Sequence, residues 1–173
     1  TEAIKMVLAF KEYKKPTYMR FCGAVNIPCV YKEDYNFEIG KGVKLNDGER
    51  IALVATGTNL VQNALEVANI INEKYGFTPL VVNIHTIKPL DKTLIEEILD
   101  SFETVYTIEE HNIIGGLGSA VAEIKASMSE CKCKIIRLGV EDKLYSLGSR
   151  EYMLREAGLD TQSIACKVRQ GLV

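Results

Sequence analysis

Glu109, Glu110 and His111 stand side by side at the head of EEHNIIGGLGSAVAEI (Glu109–Ile124), and Gly115, Gly116 and Gly118 follow. A histidine beside a carboxylate titrates near neutrality and suits general acid–base work. Neighbouring side chains of an extended segment point to opposite faces, so only Glu109 and His111 share one. They read as a structural hydrogen-bonded pair at the end of a strand, or as a catalytic pair. GGLG (Gly115–Gly118) lies where an apolar run gives way to a helical pattern. Backbone amides and the helix dipole can hold an anion at such a place. The spacing is not G-x-G-x-x-G, and no Lys-Ser or Lys-Thr follows to make a P-loop. A strand-to-helix corner in which glycine permits close approach is the plainer reading, with anion binding as the alternative.

Three further places could carry chemistry. TGTN (Thr56–Asn59) reads as a turn followed by a helix cap. His85, in VNIHTIKPLD, falls just past an apolar run, at the edge where α/β sheets take ligands. Arg20 stands near the end of PTYMRF (Pro16–Phe21), and a guanidinium there suits a phosphate or carboxylate, or a surface salt bridge. The five cysteines form no C-x-x-C pair, and Cys131-Lys-Cys133 has no second cluster to complete a zinc site. Reduced thiols are expected, with no metal site.

The elements around these residues follow from the apolar pattern. TEAIKMVLAFKEYKK has Ile4, Val7, Leu8 and Phe10 near helical spacing, and Pro16 stops it. Pro16–Phe21 reads as a short strand. From Cys22 to Gly48 no period holds, and a linker is expected with a short strand near Phe37–Ile39. Beyond Gly48 the pattern alternates regularly. IALVAT, LVVNI, TVYTI and KIIRLG are short apolar runs. Helical stripes span Asn59–Lys74, Asp91–Ser101 and about Gly118–Met128, with Asp91 as a cap. Shorter helices are expected near Ser149–Ala157 and Thr161–Gln170.

Runs that are apolar on both faces, separated by helices, predict a mostly parallel sheet covered on both sides. The fold class is therefore α/β, doubly wound, for residues 48–173. Residues 1–47 cannot close a core and read as the tail of another domain.

The 173-residue length and 47% hydrophobic content suffice for a sizeable core. A formal net charge of −2 argues against nucleic acid or an anionic membrane as partner. No apolar run approaches the roughly 20 residues of a membrane span, and no signal peptide is recognisable.

Taken in order, ATGTNLVQNALEVA, VNIHTIKPLD, IEEHNIIGGLGSAVAEI, RLGVEDKLYSLGS and GLD resemble the C-terminal domain of the transketolase family. The agreement runs from about residue 36 to the end, and KKPTYMRF resembles the last strand of that family's pyrimidine-binding domain. The resemblance implies a thiamine diphosphate enzyme that moves a two-carbon ketol unit between sugar phosphates. It also implies a cytoplasmic homodimer. The GDG-and-asparagine motif for diphosphate and magnesium belongs to the family's N-terminal domain and is missing here. The glutamate that activates the aminopyrimidine would lie upstream of Thr1. This chain is then expected to hold no cofactor itself, to support packing and dimerisation, and to be inactive alone. Family members often read Y-x-R-x-x-R in the tail, the second arginine meeting substrate phosphate. Here YMRFCG matches Arg20 to the first arginine and puts Gly23 at the second. Two related readings stay open: the tail of a 2-oxoacid dehydrogenase β subunit, which docks an acyltransferase core, and deoxyxylulose-phosphate synthase. A free-standing module that binds an anion at GGLG is the third.

Overall fold

The computed structural model describes residues 2–21, 29–31 and 33–172. Its strands are β1 (Val43–Lys44), β2 (Ile51–Thr56), β3 (Leu80–Asn83), β4 (Thr104–Asn112) and β5 (Lys134–Val140). The helices are α1 (Glu2–Glu12), α2 (Thr58–Tyr75), α3 (Lys92–Ser101), α4 (Leu117–Ser127), α5 (Arg150–Glu156) and α6 (Thr161–Gln170). Among the described residues the sheet runs β1-β3-β2-β4-β5, with β1 antiparallel and the rest parallel. This is an α/β architecture with a mostly parallel sheet.

The period of two along β2 explains the two layers. Ile51, Leu53 and Ala55 face one side, where α2 and α6 bring Leu60, Val67, Ile71, Ile164 and Val168. Ala52 and Val54 face the other, against Ile95, Ile98 and Leu99 of α3 and Leu117 and Val121 of α4. Each such side chain contributes roughly 1.5–3 kcal/mol on burial, which is why the central strands carry no exposed polar face. Asp91 caps α3, its side chain accepting from Leu94 N at 3.3 Å, and Asp160 caps α6 through the amides of Gln162 and Ser163. Ile95, Ile98 and Leu99 of α3 are buried, and Leu94 packs partly exposed against the same layer.

The first forty residues depart from expectation after α1. Pro16–Phe21 forms no strand among the described residues. Phe37–Ile39 is no strand either. The chain turns there, with Lys41 N donating to Glu38 O and Gly40 at a φ of 85°. The short edge strand falls later, at Val43–Lys44, where it pairs with Asn83 and Val82 of β3. Cys22 and Gly23 lie outside the described residues.

Candidate functional site

The order of the sheet reverses between β2 and β4. In α/β sheets the crevice beyond the carboxyl ends at such a reversal is the ordinary place for a ligand. Register puts Thr56, Glu109 and, one strand over, Asn83 at this edge. The residues singled out in the sequence gather here because β4 runs on past Ile108 as far as Asn112.

Glu109 occupies the glycine turn. It is 2% exposed, and its two carboxylate oxygens accept from Leu117 N and Gly118 N, each at 2.8 Å. These amides belong to the first turn of α4, whose free N–H groups and positive dipole end favour negative charge. The anion position at GGLG is thus filled by the protein's own carboxylate. A Cβ on Gly116 would overlap Glu109 Oε2, so glycine is required there by close approach. Gly115 has a φ of 78°, a conformation side chains rarely adopt.

Glu109 and His111 do not share a hydrogen bond. His111 is exposed and its Nδ1 lies 3.1 Å from Asn112 O. Glu110, pointing to the other face of β4, is the acid with a charged partner. Arg150 at the start of α5 grips it with two nitrogens, Nε at 3.2 Å from Oε1 and Nη2 on Oε2. Arg150 Nη1 also donates to Asn59 Oδ1 at 3.4 Å, which ties β4, α2 and α5 together across the edge. Arg20 is exposed and its Nη1 donates to Glu110 O at 3.4 Å.

On the β3 side, buried Asn83 donates from Nδ2 to Glu2 Oε2 at 2.6 Å, and Tyr31 Oη donates to the same oxygen at 2.6 Å. Burial, together with Glu2, drives the Tyr31 phenol far above its ordinary range. Tyr35 stacks on Tyr31 with ring centroids 4.0 Å apart. His85 stacks on Phe37 at 4.2 Å, and its Nδ1 lies 2.8 Å from Thr86 Oγ1. Its buried Nε2 meets no partner among the described residues, and burial lowers its pKa although Glu2 works the other way.

A diphosphate cradle would need the amides of the glycine turn at the start of α4, and Glu109 already sits in it. Among the described residues no group of three or more His, Cys, Asp or Glu side chains gathers to hold a metal. The residues present therefore do not fit thiamine diphosphate with its magnesium.

Residues 40–164 match the family described as "Transketolase, C-terminal domain". The chain belongs to that family. A protein named as a transketolase C-terminal section in Methanocaldococcus jannaschii is 38% identical over 167 residues, covering 95% of this chain and 51% of that protein. A 1-deoxy-D-xylulose-5-phosphate synthase of Caldanaerobacter subterraneus is 38% identical over 135 residues, covering 78% of this chain and 21% of the synthase. Among solved structures, a split-gene transketolase described as an inactive β4 tetramer superposes with a TM-score of 0.74 at 33% identity. That match covers 83% of this chain and 46% of the other. This transketolase C-terminal domain therefore spans about half the length of its section-type relative and a fifth of the synthase.

Sequence reasoning missed the Glu110–Arg150–Asn59 bridge and the Asn83–Glu2–Tyr31 cluster. The alternation that separates Glu109 from Glu110 was a usable signal for the first. Nothing local marks Arg150 or Glu2, whose partners lie 40 and 81 residues away.

Proposed function

We propose that this chain is the C-terminal portion of a thiamine-diphosphate-dependent, transketolase-like enzyme that transfers a two-carbon ketol unit between sugar phosphates. Residues 1–47 are then the tail of the pyrimidine-binding domain with a linker, and residues 48–173 the third domain. Its role is packing and assembly of a cytoplasmic homodimer, and it is inactive alone. The observation that carries this reading is the carboxylate of Glu109 filling the anion position at the crevice of the sheet. A domain whose ligand edge is satisfied by its own side chains supports catalysis performed elsewhere. Thiamine diphosphate and Mg2+ belong in this reading to the remaining domains of the same enzyme. Arg20 is the residue of this chain assigned to substrate phosphate, its guanidinium exposed beside the crevice.

The test is ketol transfer by the complete enzyme. Turnover that requires added thiamine diphosphate and a sugar-phosphate donor and acceptor supports the proposal. An Arg20→Ala enzyme is expected to raise KM for the phosphorylated substrate while the folded state is unchanged. The 38% identity to a 1-deoxy-D-xylulose-5-phosphate synthase supports a second reading. Formation of 1-deoxyxylulose 5-phosphate, with no ketol transfer between sugar phosphates, would establish that one instead.

A further inference from the structure

At the opposite end of the sheet, a cavity of about 470 Å³ opens between the end of α3 and the approach to β5. Leu99 and Phe102 line its apolar side, and Cys131 and Cys133 line it together. Both thiols are free. The segment alternates: Cys131 half-buried, Lys132 exposed, Cys133 buried, Lys134 exposed. That is the pattern of an extended chain whose two sulfurs look to the same face. Cys133 lies at the bottom, 3% exposed. Cys131 sits nearer the mouth, its Sγ 3.5 Å from Leu99 O.

We propose that Cys131 and Cys133 form a two-coordinate site for a soft monovalent cation, Cu(I) in chemical class. Three arguments select this occupant. Cα atoms two residues apart in an extended chain are separated by about 6.6 Å, near the upper limit for a disulfide, roughly 6.8 Å. Two thiolates on one face of an extended segment can instead hold a single ion between them without closing to bonding distance of each other. Zinc asks for four ligands, and the described residues gather no group of three. Soft thiolate pairs in apolar surroundings favour Cu(I). The charged rim adds attraction for a cation, since Asp100, Glu103 and Glu130 outnumber Lys132 there. Glu103 is partly answered by Arg50, 3.8 Å away.

Binding is a plain exchange. Two S–H bonds break, two S–Cu bonds form, and two protons leave for solvent, with no change in oxidation state. The ion must displace both thiol protons, so affinity rises with pH.

The experiment is an anaerobic titration of Cu(I) against a competing chromogenic chelator. The protein carries Cys22→Ser, Cys29→Ser and Cys166→Ser so that only this pair remains. One ion per chain is expected, with two sulfur neighbours by X-ray absorption. Adding Cys131→Ser, at the rim, removes one of two direct ligands and is expected to weaken binding by more than the roughly 100-fold that loss of an outer-shell partner can cost. Cys133→Ala should do the same, and circular dichroism reports whether that buried change keeps the fold. Undiminished affinity in the folded Cys131→Ser protein, or nitrogen and oxygen neighbours in place of sulfur, would overturn the site.

Discussion

The Glu109 carboxylate is buried, and the backbone amides of Leu117 and Gly118 answer it. Hydrogen bonds to a charged group contribute about 1.5–3 kcal/mol each, and an orphaned buried donor costs a similar amount. Glu109→Gln turns one acceptor into an NH2 group facing an N–H. We expect it to lower unfolding free energy by about 2 kcal/mol, read from the urea midpoint at unchanged slope. An unmoved midpoint would mean that the clamp contributes nothing. His85 gives a second prediction at this scale. Burial holds its pKa below the ordinary value of about 6.5, so the unfolded chain binds the proton more readily. Stability is full above about pH 6.5 and declines as pH falls from there through the lower folded value. Urea midpoints measured from pH 7.5 to 5.5 should fall, and His85→Asn should flatten the curve. Equal slopes in both proteins would place the titration elsewhere. Glu109, Gly116 and Gly118 were all visible in the sequence as chemistry-bearing residues. Which of them met which was hidden, because it depends on how far β4 runs before the chain turns.

Local signals served the elements well and long-range pairing did not. Asp91 was legible as a cap because the carboxylate and the amide it meets are three residues apart. The same side chain also accepts from Gly42 N at 3.1 Å, and it approaches Lys41 Nζ at 3.8 Å. One residue therefore fixes both the start of α3 and the entry to β1. Asp91→Ala is expected to cost about 1 kcal/mol for the cap alone, and more if Gly42 N is left without an acceptor. Hydrogen exchange should quicken at both Leu94 and Gly42. Acceleration confined to Leu94 would show that the β1 entry is held independently. The apolar runs that became β2, β3 and β4 could be read directly, since strands buried on both faces leave an unmistakable pattern. β1 could not. It has two residues, pairs with β3 across some forty positions, and follows a turn that only Gly40 announces. Pro16–Phe21 carries strand-like residues but pairs with no strand among the described residues, and composition cannot reveal that.

On the scale of the whole molecule, the carboxyl edge is closed by internal partners. Glu109 fills the head of α4, Arg150 spans Glu110 and Asn59, and Glu2 draws Asn83 and Tyr31 inward. A sheet edge of this kind normally waits for a ligand, and here the protein supplies the complementary groups itself. No helix among the described residues is long and apolar enough to cross a membrane. Several large apolar side chains remain on the surface of α1, among them Ile4 at 66% and Leu8 at 62% exposed. They belong to the segment that the proposed reading assigns to a neighbouring domain. The most direct test of that reading is a calorimetric titration of thiamine diphosphate with Mg2+ into this chain by itself. No heat of binding up to millimolar cofactor is the predicted result, with binding restored in the complete enzyme. Saturable one-to-one binding to the isolated chain would contradict a supporting domain and return the catalytic role to its own residues.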